Sequence, residues 1–176
     1  MVNRRRTPTI TGEATLTSPW FSNRWTLHHH DHVLAEVRRI ARTYVSVVDL
    51  GEHGRLLLEP SGRGTVRALD QDDREIGRIT RQSWIGRRWE LDGMGFTYEL
   101  ISDRRPRRWH LAVANAPVTY LAGSMVSYNH MRIHSPMTVP VPAVLLAWHV
   151  IARPWEAANE PRHLVPATAG IPRQAT

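Results

Sequence analysis

Apolar and polar residues alternate with a period of two along much of the chain. In Arg88-Trp89-Glu90-Leu91, Trp89 and Leu91 face one way and the charged pair the other. In Phe96-Thr97-Tyr98-Glu99-Leu100 the apolar set falls on even numbers, and in Arg108-Trp109-His110-Leu111-Ala112-Val113 on odd ones. Met131 and Ile133 oppose Arg132 and His134. A period of two is the signature of a strand with one buried face. Turn residues separate these runs: Asp92-Gly93, Ser102-Asp103 before Pro106, and Asn115-Ala116-Pro117. The spacing predicts about twelve strands before residue 135.

One segment departs from this rhythm. From Val139 to Ala152, VPVPAVLLAWHVIA, only the two prolines and His149 interrupt the apolar residues. A helix that is apolar all round must be buried all round. Pro140 and Pro142 suit its first turn, and Arg153-Pro154 its end. The expected fold is all-β with one buried helix. About twelve antiparallel strands close into a barrel around the apolar helix, and closure removes the open edges.

The outer segments read differently. Residues 1–10 are polar and basic and read as a mobile N-terminus. Residues 157–176, with three prolines and no periodicity, read as a disordered tail. The domain then spans 11–156. The longest apolar run, at 14 residues, is shorter than the roughly 20 a membrane-crossing helix needs. No apolar stretch follows the N-terminal basic residues, so the start does not read as a secretory signal. The expected location is cytoplasmic, peripheral at a membrane surface where one is bound.

Within this frame, Val66-Arg67-Ala68-Leu69-Asp70-Gln71-Asp72-Asp73-Arg74-Glu75-Ile76-Gly77-Arg78-Ile79-Thr80-Arg81 resembles a strand–turn–strand signature of the tubby C-terminal-like superfamily. Tubby proteins, phospholipid scramblases and LURP-one-related proteins form that group. The signature runs from an apolar strand through Asp and a polar turn to apolar-Gly-x-Ile-x-Arg. Asp73 stands where the turn glycine is usual. Arg88-Trp89-Glu90-Leu91 and the apolar helix fit the same layout, and the resemblance covers roughly residues 11–155. It implies a bacterial-type member with a twelve-stranded barrel around a central helix. It also implies binding of phosphoinositides or involvement in lipid movement. It carries over no catalytic residue.

Charge sharpens the expectation. The 176 residues hold 23 basic and 16 acidic side chains, for a net charge of +7. All the basic ones are arginine, as coding in a GC-rich genome would favour. There is no cysteine, which excludes disulfides, thiol nucleophiles and Cys-based metal sites. Between Arg81 and His110, seven arginines stand against four acids. Four of the seven fall in Arg104-Arg105-Pro106-Arg107-Arg108. Guanidinium forks suit phosphate and carboxylate. Arg87, Arg88, Arg104, Arg105, Arg107 and Arg108 are therefore the expected anion-binding set, for an anionic membrane surface or a phosphate-bearing ligand.

A second constellation is His28-His29-His30-Asp31-His32. His30, His32 and Glu36 have the spacing of the first cupin metal motif, which offers an alternative reading as a metal-binding enzyme or sensor. The glycine that motif needs later is absent, with Thr43 in its place. A solvated turn or strand end is the competing reading. Trp89, Trp109 and Trp148 fall on faces predicted to be buried. Trp20-Phe21, beside Pro19, reads either as an exposed anchor or as buried. No nucleophile elbow surrounds Ser124, no glycine loop cradles phosphate, and no carboxylate pair stands out. No helix-turn-helix pattern supports nucleic-acid binding. The expected function is non-enzymatic binding without a cofactor.

Overall fold

The computed structural model describes residues 7–20, 22–41, 43–124 and 128–159, with side chains described through residue 152. Twelve strands form one closed antiparallel barrel in sequence order. They are β1 (Thr9–Thr17), β2 (Arg24–His29), β3 (His32–Ile40), β4 (Val45–Asp49), β5 (Arg55–Pro60) and β6 (Thr65–Leu69). The second half holds β7 (Glu75–Arg81), β8 (Arg88–Gly93), β9 (Phe96–Ser102), β10 (Arg108–Val113), β11 (Ala116–Gly123) and β12 (His130–Pro140). β12 returns to pair with β1 and closes the sheet. A three-residue 3₁₀ turn, Gly51–His53, sits between β4 and β5.

A single helix, α1 (Val141–Asn159), follows β12. Every residue from Val141 to Ala152 is buried. The helix packs against β6, β7, β8 and β12. Trp148 meets Trp25 of β2 edge-on, with ring centres 5.2 Å apart. His149 Nδ1 lies 3.1 Å from Ser46 Oγ of β4, so the one polar side chain of the apolar run has a polar partner in the core. With walls on all these sides, the helix is the barrel's core.

The helix bounds differ from the expected 139–152. Pro140 still pairs with Thr9, and Val141 N donates to Pro8 O, so the β1–β12 ladder claims the first two residues. Pro142 falls in the first helical turn, where its missing N–H has no intrahelical partner to lose. Arg153-Pro154 does not end the helix, which runs on to Asn159, so residues 157–159 are helical rather than part of the expected tail. At the other end of the domain, Thr9 and Ile10 belong to β1 and Ile10 is fully buried, so the barrel begins inside the stretch expected to be mobile. Residues 1–6 and 160–176 of the two expected tails lie outside the described residues.

Gly77 and Gly93 face each other across β7 and β8. A Cβ on Gly93 would stand 2.2 Å from the Phe96 ring, and one on Gly77 would stand 3.0 Å from Phe96 and 3.4 Å from Leu146 of the helix. The two glycines make room for one aromatic ring beneath the helix. Asp73, in the turn between β6 and β7, has φ of 58°. That left-handed value is the one a turn glycine supplies, and Asp tolerates it better than most residues.

The outward wall carries Glu13, Glu36, Arg38, Arg78, Glu90, Asp92 and Arg132, all exposed. A membrane-spanning barrel turns apolar side chains outward instead. Among the described residues, no helix is long and apolar enough to cross a membrane.

Candidate functional site

Because successive strands run in opposite directions, alternate connections gather at opposite rims. The connections after β2, β4, β6, β8 and β10 share the lower rim, where the helix enters. Those after β1, β3, β5, β7, β9 and β11 share the upper rim, toward which the helix runs. Chemistry divides the same way. Among the described residues, the lower-rim connections hold Asp31, Glu52, Asp70, Asp72 and Asp73 with only Arg74. Those of the upper rim hold Arg63, Arg87, Arg104, Arg105 and Arg107 with only Asp103.

The upper rim also exposes large apolar side chains. Trp84 is 93% exposed, Ile85 67%, Trp20 63% and Tyr44 43%. Of the two readings for Trp20, the structure shows exposure rather than burial; Phe21 lies outside the described residues. These exposed side chains share the rim with its arginines.

The expected anion set assembles at this rim. Ser102 N donates to Arg87 O at 2.9 Å, which lays the β7–β8 and β9–β10 connections side by side. Ser83 Oγ accepts from the backbone N–H of Arg87 and Arg88 at 2.8 and 3.0 Å and fixes the first of them. Arg107 takes φ of 56°, and its carbonyl accepts from Gly123 N at 2.9 Å, tying the second to β11. Arg88 spends its charge on Glu99, with one nitrogen 2.8 Å from both carboxylate oxygens. Among the described residues, no carboxylate lies within ion-pair distance of Arg81, Arg87, Arg104, Arg105 or Arg108. Asp103, the one acid in the loop, holds His110 Nδ1 at 2.6 Å.

Inside the rim lies a cavity of about 620 Å³, lined by Arg81, Arg87, Trp89, Trp109, Val150 and Ile151 among others. Trp89 and Trp109 are half-buried against the core and also form this wall, a role beyond the core packing expected of them. Trp89 Nε1 donates to Gly86 O at 2.9 Å and Trp109 Nε1 to the Tyr128 hydroxyl at 3.4 Å. Deeper still, Arg39 points inward, its guanidinium carbon 4.6 Å from the Trp148 ring centre and 5.1 Å from that of Trp25. Such contacts offset part of the cost of turning a cation toward the core.

The histidine cluster lands at the lower rim. His30, with φ of 53°, and Asp31 form the turn between β2 and β3, and His29 pairs with His32. Glu36 lies further along β3, exposed and opposite Thr26 and Asp49. Among the described residues, no group of three or more His, Asp or Glu is placed to hold a metal ion.

The fold and rim define a closed twelve-stranded barrel cored by its own C-terminal helix, with one basic, aromatic end and one acidic end. No protein-family model matches the chain, and no curated protein or solved structure matches it either.

Proposed function

We propose that the protein is a non-enzymatic binding domain of the tubby-like kind that docks its upper rim on anionic, phosphate-bearing membrane surfaces from the cytoplasmic side. The observation that carries the reading is the coincidence of Trp84, Ile85, Trp20 and Tyr44 with Arg63, Arg87, Arg104, Arg105 and Arg107 on one rim. Tryptophan and tyrosine favour the membrane–water interface, and arginines near an anionic surface each contribute about 1 kcal/mol. The acidic lower rim orients the molecule, since an anionic surface repels it. The barrel and its enclosed helix agree with the resemblance in layout and so support the class.

Co-sedimentation with vesicles of anionic lipid tests the reading. Wild-type protein binds at low salt and is released as salt screens the attraction. Arg104→Gln with Arg105→Gln lowers binding at least tenfold. Arg55→Gln with Arg78→Gln removes the same charge from outside the upper rim and costs less than threefold. Equal losses in the two variants would leave general basicity as the whole effect.

A further inference from the structure

The cavity beneath the upper rim combines an apolar wall with a cationic mouth. Its wall is apolar and aromatic: Trp89 and Trp109 with their N–H groups satisfied, and Val150 and Ile151 of the helix. Its mouth is cationic. Arg81 continues the inward-facing series of Gly77 and Ile79 on β7, and at the strand's exposed end it lines the cavity. It lies between two glycines: a Cβ on Gly64 would stand 3.6 Å from its Nε, and one on Gly86 3.9 Å from its Cδ. Arg87 lines the same mouth from the neighbouring loop. Among the described residues, neither guanidinium has a carboxylate partner. The volume of about 620 Å³ lies inside the roughly 300–1,000 Å³ usual for small-molecule sites.

We propose that this cavity binds a single-chain anionic amphiphile, with its aliphatic chain against Trp89, Trp109, Val150 and Ile151 and its carboxylate or phosphate head between Arg81 and Arg87. Apolar walls with a few convergent polar groups are the ordinary design of a ligand site. An apolar chain satisfies the indole and helix surfaces, and an anionic head satisfies the arginine forks at the mouth. Tethering of Trp89 to Gly86 and of Trp109 to Tyr128 holds the wall open in advance, which lowers the ordering cost of binding. Ser102, the last residue of β9, reaches the cavity from the rim and offers a position from which to fill it. The inference does not depend on vesicle docking.

Calorimetric titration with dodecanoate below its micelle concentration tests it, with dodecyl phosphate, dodecanol and acetate alongside. Both twelve-carbon anions bind with one site per chain; dodecanol and acetate bind at least tenfold more weakly, since each lacks half of the recognition. Arg81→Gln with Arg87→Gln weakens dodecanoate at least tenfold. Ser102→Phe fills the cavity and abolishes binding, while unchanged thermal unfolding shows that it folds. Arg104→Gln with Arg105→Gln leaves dodecanoate affinity within twofold, which separates this site from the membrane-facing loop. A wild-type protein with no saturable site for either anion overturns the proposal, as does affinity unchanged by Ser102→Phe or by the Arg81/Arg87 pair. Dodecanoate binding in a protein that ignores vesicles would refute membrane docking and leave the cavity site standing.

Discussion

Gly93 and Asp73 show how single positions hold the barrel wall. A methyl on Gly93 meets the Phe96 ring at 2.2–2.4 Å and the Ile76 carbonyl at 2.8 Å. The ring has Gly77 behind it and the helix beneath, so it cannot yield cheaply. Gly93→Ala therefore lowers stability by about 1–3 kcal/mol, read as an earlier urea midpoint with an unchanged slope. At Asp73 the constraint is on the backbone. Its φ of 58° is strained for a β-branched side chain, so Asp73→Val costs about 1–3 kcal/mol, whereas Asp73→Gly stays within about 1 kcal/mol of wild type. Equal losses for the two variants would mean that the carboxylate, not the backbone angle, decides this position.

Among the elements, the β6–β7 hairpin couples structure to pH. Partial burial pushes the Asp70 carboxyl up, but the backbone N–H groups of Arg74 and Asp72 and the Arg74 charge outweigh it, leaving Asp70 below the ordinary value of 3.8. On the neighbouring strand, the hydrogen bond from Arg78 holds Glu75 below 4.5. A depressed carboxylate contributes stability above its unfolded-state pKa and loses it as pH falls through the folded value. Asp70→Asn thus lowers stability at pH 7 by about 1 kcal/mol, and the gap to wild type narrows as pH drops below 3.8. A gap that stays constant down to pH 2 would remove the carboxylate from the account. How much of each element the sequence reveals follows from how local its cause is. Strand faces were legible because burial parity is local: Leu91, Leu100, Leu111, Met131 and Ile133 are all fully buried as the alternation predicts. Parity fails at a bulge. Between Leu111 and Ala112 the β10–β11 register shifts, so Ala112 is buried and Val113 is 46% exposed, against expectation. Two turns lie within a few residues of where the turn-forming residues predict them: Met94-Gly95 rather than Asp92-Gly93, and Ala114-Asn115 rather than Asn115-Ala116-Pro117. The arginine loops were legible as charge; the cross-strand bond that commits Arg88 to Glu99 was not, because it needs the register.

For the whole molecule, closure decides both core and site. The helix supplies the interior, so Leu145→Asp places an unpaired charge at a fully buried position and abolishes cooperative unfolding. A surface helix would tolerate it. Closure also sorts the connections between two rims, and this sorting could not be read from composition, which gave only a net charge of +7. Strand count and direction turn that figure into a basic, aromatic upper rim and an acidic lower rim. The central claim is that the upper rim alone meets an anionic surface. The chain has no native cysteine, so single-cysteine labelling is clean. Ser61→Cys on the upper rim and Gln71→Cys on the lower rim, both exposed, each take an environment-sensitive fluorophore. With anionic vesicles, the account predicts a blue-shifted, brighter probe at position 61 and an unchanged one at position 71. A shift at position 71, or none at position 61 despite vesicle binding, would contradict it.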